Sequence, residues 1–126
     1  MTMRFVSAVA LGLSLLTANV AKAADHELIA QKFEELTKYS DLAYKGFVEK
    51  NKSKGCFAEG MIYVTAKLLT DEYFGAMSNE QASKAVIVQQ SIAQLGQFCT
   101  GEDRTFEKAT EAALQIKNLL QLRQAD

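Results

Sequence analysis

The spacing of apolar residues along the chain predicts four helices. In the first, from about residue 25 to residue 50, apolar or small residues recur at steps of three and four positions, as they do on one face of an amphipathic helix. That face consists of Ile29, Phe33, Leu36, Ser40, Ala43 and Phe47. The polar residues 51–54 and Gly55 interrupt the pattern, which predicts a loop.

A second and a third helix are predicted on either side of a short turn. The second, about residues 56–75, is the most hydrophobic, and its apolar residues form one face and a flank beside that face: Phe57, Met61, Val64 and Leu68, then Ile62, Thr65, Leu69 and Tyr73. Ser78 followed by Gln81 has the form of a capping box, which predicts the start of the third helix. That helix, about residues 79–99, carries a face of mostly small side chains: Ala82, Ala85, Val86, Gln89, Ile92, Ala93, Gly96 and Cys99.

A fourth helix is predicted from about residue 103 to residue 124. Its repeating face consists of Phe106, Ala109, Ala113, Ile116 and Leu120. The chain contains no proline, and glycines mark the joints between the predicted helices. The predicted fold class is therefore all-α, a four-helix antiparallel bundle.

The two cysteines give an independent test of this layout. Their midpoint falls between Met77 and Ser78, at the predicted turn between the second and third helices. In an antiparallel helical hairpin, positions equidistant from the turn lie side by side, so Cys56 should meet Cys99 and form a disulfide that joins helices two and three. Closing a loop of this size stabilises the fold by about 4 kcal/mol in the chain-entropy description.

The N-terminus has the pattern of a cleavable secretory signal peptide. A short basic start, Met1–Arg4, precedes an almost continuously apolar stretch, Phe5–Leu16, and small residues flank Lys22 where a signal peptidase would cut, after Ala23. The apolar stretch is shorter than the roughly 20 residues that a transmembrane helix needs. We expect residues 1–23 to be the signal, residues 24–126 to form a single helical domain, and the mature protein to lie free in the periplasm, where a disulfide persists.

Net charge and composition narrow the class of partner. Removing residues 1–23 leaves 12 basic against 15 acidic residues, a net charge of −3. This balance provides no basic field of the kind that binds nucleic acid. There is also no Lys/Arg-rich amphipathic stretch after the signal that would bind an anionic membrane surface. We therefore expect a soluble partner or a small molecule, and no binding to nucleic acid or to a membrane.

No catalytic, cofactor or metal motif is recognisable. The lone histidine, His26, lies near the predicted mature N-terminus, and the sequence contains no Gly-rich phosphate loop, no Cys-x-x-Cys and no zinc-protease motif. We expect a protein that is not an enzyme, with no catalytic residue and no cofactor. One alternative stays open: cleavage after Ala23 would create the N-terminus Ala24-Asp25-His26, whose four nitrogens could bind Cu(II) or Ni(II) in a square plane.

The candidate partner-binding residues lie at the turn between helices two and three. Asp71, Glu72, Tyr73 and Phe74 combine acids with aromatics, and aromatic residues are enriched at interface cores. The alternative is that Tyr73 and Phe74 close the end of the helical core. Two weaker candidates are the lysines around residues 45–54, which could be a solvated loop, and the pair Glu102 and Asp103, which could supply charge to the start of helix four.

A short signal, about 100 mature residues, four helices and one disulfide resemble the periplasmic immunity proteins that protect bacteria from type VI secretion effectors. The resemblance covers the whole mature chain and is architectural; no motif carries it. It implies a protein that inhibits a secreted peptidoglycan hydrolase by blocking its active-site cleft, often as a homodimer.

The alternative class is the periplasmic acid-stress chaperones, which are also small, helical and held by one disulfide. The chain differs from them in having a helix of about 25 residues before its first cysteine. An inhibitor should stay folded at moderately low pH, whereas a chaperone should expose apolar surface when its carboxylates become protonated. A secretion-system accessory protein is a third possibility.

Overall fold

The computed structural model describes the backbone of residues 7–101 and 105–122 and the side chains of residues 24–101 and 105–122. These described residues form four α-helices: α1 (Ser7–Val48), α2 (Lys52–Glu72), α3 (Asn79–Cys99) and α4 (Phe106–Gln121). A 3₁₀ turn, Phe74–Ala76, lies between α2 and α3, and no strand occurs in the described ranges. Cys56 in α2 is bonded to Cys99 in α3 with their Cα atoms 5.6 Å apart. The all-helical class and the cysteine pairing are confirmed.

The first helix is longer than predicted, because α1 continues without a break through the expected cleavage site. Ala24, Asp25 and His26 therefore lie within α1, where Ala24 and His26 are exposed. No helix in the described part of the chain has an apolar stretch long enough to cross a membrane. The side chains of the expected signal, residues 1–23, lie outside the described part of the structure.

The predicted loop at residues 51–55 is wrong, because α2 already begins at Lys52. The Asn51 side chain caps the helix by accepting a hydrogen bond from the Lys54 amide at 3.1 Å. Lys50, with a φ of 58°, reverses the chain just before this cap. Gly55, which as a glycine signalled a break, is instead a buried residue of α2 that lies against Gly46 and Phe47 of α1.

The core lies between helices that pack as neighbours: α1 against α2 and α4, and α3 against α2 and α4. The faces predicted for α1 and α4 supply much of it, with Ile29, Leu36, Ser40, Ala43, Phe47, Ala109, Ala113 and Ile116 all buried. Ser40 is tolerated there because its hydroxyl donates to the Thr37 carbonyl oxygen at 2.8 Å. In α3 the inward residues are Ala85, Val88, Ile92, Leu95 and Phe98, so only Ala85 and Ile92 of the predicted face are buried.

The side of α2 that is buried differs from the one that its hydrophobicity predicts. Its buried residues are Gly55, Ala58, Ile62, Thr65, Ala66 and Leu69. Ile62, Thr65 and Leu69 belong to the predicted flank, and none of the six belongs to the more hydrophobic face. Phe57 and Val64 of that face remain 60% and 59% exposed. Small side chains at Ala58 and Ala66 let α2 approach its neighbours closely, and close packing outweighs the burial of two larger residues.

Aromatic residues close the end of the fold that carries the disulfide. The Phe98 ring lies edge-on to Phe47, with centroids 5.5 Å apart, and to Phe106, at 4.9 Å. The Lys52 ammonium lies 4.9 Å from the centroid of the same ring. The opposite end of the fold, at the turn between α2 and α3, carries the candidate site.

Candidate partner-binding site

The tip, residues 71–78, connects α2 to α3 through a turn ordered by backbone hydrogen bonds. The Tyr73 amide donates to the Leu69 carbonyl at 3.1 Å and ends α2. The amides of Ala76 and Met77 then donate to the carbonyls of Tyr73 and Phe74 at 3.0 and 3.3 Å. The turn therefore has a defined backbone course.

The predicted capping box is confirmed and anchors the far side of the tip. The Gln81 amide donates to the Ser78 hydroxyl oxygen at 3.1 Å. In return, the Ser78 amide donates to the Gln81 side-chain oxygen at 3.0 Å. Two backbone donors that the start of α3 would leave without partners are thus satisfied.

The two aromatic residues of the tip have opposite roles. Tyr73 is half-buried and packs against the hydrophobic core, together with Ala76 and Met77. Phe74 is 52% exposed. Tyr73 therefore closes the end of the helical core, as the alternative prediction had it, whereas Phe74 remains available to a partner.

The two acidic residues of the tip are both exposed and differ in their local contacts. The Asp71 carboxylate accepts a hydrogen bond from the Lys67 ammonium at 2.8 Å, one turn earlier in α2. That hydrogen bond raises the pKa of Lys67, and the attraction between the two charges adds to it. Glu72 has no ion-pair partner among the described residues. From residue 71 to residue 80 the chain carries three carboxylates and no basic residue.

An apolar depression of about 550 Å³ lies beside Phe74, between the tip and the first turns of α3. Its lining combines apolar and small polar residues: Phe74, Gly75, Met77, Asn79, Ala82, Ser83, Val86 and Ile87. Ile87 is itself 40% exposed on the rim. Phe74 and the depression together form one continuous surface. It contains an aromatic residue and a methionine, Phe74 and Met77, and these residue types are enriched at interface cores.

The α3 side of this surface was not among the residues predicted from the sequence to bind a partner. The residues concerned, Val86 and Ile87, belong to the run Val86-Ile87-Val88. Three consecutive β-branched residues span about 200° of a helix, so they cannot all face one core. That run was the available signal that α3 exposes apolar side chains.

The other candidate surfaces do not form a site within the described residues. The lysines near the first turn are dispersed among separate contacts: Lys45 pairs with Asp41 at 3.0 Å, Lys54 pairs with Glu49 at 3.0 Å, and Lys52 lies over an aromatic ring. A smaller groove of about 210 Å³ between α3 and α4 is lined by polar and alanine side chains. Glu102 and Asp103 lie outside the described residues.

The chain matches no protein-family model and has no significant match among curated proteins or among solved structures. Its function must therefore be inferred from its own residues and from the tip that they form.

Proposed function

We propose that the protein is a non-catalytic inhibitor that binds an enzyme through its tip. In full, the proposal is a periplasmic immunity protein that blocks the active-site cleft of a cell-wall-degrading secreted effector. The observation that carries it is the exposed Phe74 side chain, held on a hydrogen-bonded turn beside an apolar depression.

The geometry of Phe74 suits an anchor residue. A phenylalanine has few rotatable bonds, and a turn that is already ordered loses little further entropy when a partner binds. Aromatic anchors in desolvated pockets carry much of the binding energy of protein interfaces. A projecting Phe74 could enter a cleft while the depression beside it receives an apolar side chain of the partner.

The charge of the tip favours a basic partner surface. Of the carboxylates in the tip or next to it, Asp71 pairs with Lys67 at 2.8 Å and Glu80 lies 3.9 Å from the Lys84 ammonium. Glu72 is exposed and has no ion-pair partner among the described residues, so its charge is available to a partner. Complementary charges at an interface rim accelerate association and suppress wrong partners. The proposed partner is therefore an enzyme whose cleft combines an apolar pocket with lysine or arginine residues.

The proposed location and architecture are consistent with this role. The N-terminal signal pattern would direct the chain across the inner membrane, and the Cys56–Cys99 bond requires an oxidising compartment. We take the four helices as one antiparallel bundle. The short connection between α2 and α3, and the disulfide from the start of α2 to the end of α3, favour that topology.

The test is inhibition of the peptidoglycan hydrolase encoded by a neighbouring reading frame, measured with purified proteins. Phe74→Ala should weaken inhibition about 30-fold or more, the scale of a 2 kcal/mol anchor residue. Val48→Ala is the matched control, because Val48 is also 52% exposed but ends α1 away from the tip. It should change inhibition less than twofold.

Two outcomes would contradict the proposal. One is that no neighbouring or co-purifying hydrolase is inhibited at stoichiometric protein. The other is that Phe74→Ala and Val48→Ala have equal effects, because the tip would then not be the binding surface.

An acid-stress chaperone is the second candidate, favoured by one observation on α1. Hydrogen bonds from Lys117 and Lys45 lower the pKa of Asp41, so the stability that this group supplies is lost as the pH falls. Exposure of apolar surface near pH 3, with suppressed aggregation of several unrelated proteins, would favour the chaperone. A chain that stays folded there and binds one enzyme favours the inhibitor.

A further inference from the structure

The motif Ala24-Asp25-His26 carries a candidate chemistry that the tip does not use. His26 is the only histidine of the chain. Among the described side chains, no group of three or more His, Cys, Asp or Glu residues could hold a metal ion. Both cysteines are joined in the disulfide, so no thiol competes for a metal. A metal site built from the described residues therefore has to include backbone nitrogens.

We propose that the mature chain, cut after Ala23, binds one Cu(II) ion at its new N-terminus. The four ligands are the Ala24 amine, the backbone nitrogens of Asp25 and His26, and the imidazole of His26. Neighbouring ligands are linked through the chain into chelate rings, and a histidine at the third position closes the last ring. Four nitrogens in one plane suit Cu(II), and Ni(II) binds the same set less tightly. Binding displaces the excess proton of the ammonium group and one proton from each amide.

Cleavage frees the two amides that the metal needs. In an α-helix an amide donates to the carbonyl four residues earlier, so the acceptors for residues 25 and 26 of α1 belong to residues 21 and 22. Cleavage after Ala23 removes both carbonyls. Because the first amides of a helix have no partner within it, the metal can take these two nitrogens without breaking a helical hydrogen bond of the mature protein.

The first mature residues can also leave the helix without uncovering the core. Ala24 and His26 are exposed, and the first buried core residue among the described part of α1 is Ile29, at 1% exposure. A positively charged ammonium at the N-terminus of a helix opposes the helix dipole, which weakens the first turn. Binding of copper neutralises that amine. The rearrangement into a planar chelate therefore costs little packing.

The charge of the first mature residues favours a cation. Residues 24–31 carry the carboxylates of Asp25 and Glu27 and neither lysine nor arginine. A local excess of negative charge raises the concentration of a dication near the site. The Asp25 carboxylate is not one of the four ligands, so it contributes charge only.

Titration of the mature protein with Cu(II) near neutral pH tests the site, after the intact mass has shown that the chain begins at Ala24. The expected result is one equivalent bound, with the visible absorption and circular-dichroism bands of a square-planar Cu(II)–nitrogen complex. His26→Ala should lose these bands because it removes the imidazole. Asp25→Pro should also lose them, because proline has no amide proton for the metal to displace. Asp25→Ala is the matched control and should keep them, since it changes the same residue but leaves all four nitrogens.

These variants should fold, because the changes lie before Ile29 and proline is accepted in the first turn of a helix. Far-ultraviolet circular dichroism checks their helix content, and the intact mass checks the cleavage of each.

Three results would overturn the proposal: an N-terminus other than Ala24, a mature chain that shows no such bands with one equivalent of Cu(II), or an Asp25→Pro variant that binds as the parent does. In the last case His26 would hold an adventitious ion only. Phe74 and the depression take no part in the copper site, so copper binding and inhibition through the tip can succeed or fail separately.

Discussion

Adding one methyl group to Gly46, where it contacts Gly55, should destabilise the protein. A Cβ atom on Gly46 would lie 2.6 Å from the backbone nitrogen of Gly55, a distance that real Cβ contacts essentially never show. Because the obstacle is backbone rather than a flexible side chain, α1 and α2 must move apart to accept Gly46→Ala. The same alanine placed at Gly60, elsewhere in α2, would meet nothing within 4 Å.

The two substitutions should therefore have effects of opposite sign. Overpacking a close contact costs about 1–3 kcal/mol. The obstacle is backbone that cannot move aside alone, so the upper end of that range applies. The better helix propensity of alanine returns at most about 1 kcal/mol, so Gly46→Ala should lose about 2 kcal/mol. Gly60→Ala gains the propensity without the clash, about 0.5–1 kcal/mol.

Urea unfolding of the oxidised protein, followed by circular dichroism, measures both changes. With an m value of about 1.5 kcal/mol/M, Gly46→Ala should lower the midpoint by about 1.3 M, whereas Gly60→Ala should raise it by about 0.3–0.7 M. A Gly46→Ala variant as stable as the parent would refute the close approach of the two helices. Equal losses of stability in Gly46→Ala and Gly60→Ala would show that the first loss does not come from the contact between α1 and α2.

Three further predictions concern the disulfide and two carboxylates. Replacing Cys56 and Cys99 together by alanine should lower the free energy of unfolding by about 4 kcal/mol, measured by urea unfolding, because the unfolded chain regains loop entropy. Burial raises the pKa of Glu59, so the folded state binds this proton more tightly than the unfolded state does. Ionised Glu59 therefore destabilises the folded protein, and this destabilisation is fully present above the raised pKa. Glu59→Gln should therefore stabilise the protein at pH 7 and lose that advantage as the pH falls through the raised value. The Lys117 and Lys45 contacts lower the pKa of Asp41, so Asp41→Asn should destabilise at pH 7 and flatten the loss of stability below the ordinary carboxyl range.

Each of these three predictions would be contradicted by a specific result. A double cysteine variant with an unchanged unfolding midpoint would mean that the bond does not restrict the unfolded chain. If Glu59→Gln destabilises at pH 7, the carboxylate has a stabilising role that burial does not describe. A pH–stability curve that is unaltered by Asp41→Asn would remove Asp41 from the acid response.

Local periodicity was sufficient where one face of a helix is clearly more apolar than the rest. The core positions of α1 and α4 were predictable because Leu36, Ala43 and Ile116 repeat at helical steps opposite polar side chains. The start of α3 was predictable because the capping box is a contact between residues three apart. The pairing of Cys56 with Cys99 needed only the position of the turn and the geometry of a hairpin.

The tip was predictable in position but not in detail. Its composition drew attention to Asp71, Glu72, Tyr73 and Phe74, yet the choice between the two aromatics depends on the 3₁₀ turn after α2. That turn directs Tyr73 to the core and leaves Phe74 exposed. The depression beside Phe74 also needs Ile87 of α3, which only the packed hairpin brings to the same surface.

By itself, the sequence determined the helical class, the inward faces of α1 and α4, the capping box and the cysteine pair, because each depends on residues close in the chain or on simple symmetry. Only the tertiary structure decided which side of α2 is buried. Both sides are apolar, so periodicity does not separate them. The close approach of Gly46 and Gly55 fixes how α2 lies on α1, and it leaves Phe57 and Val64 facing outward.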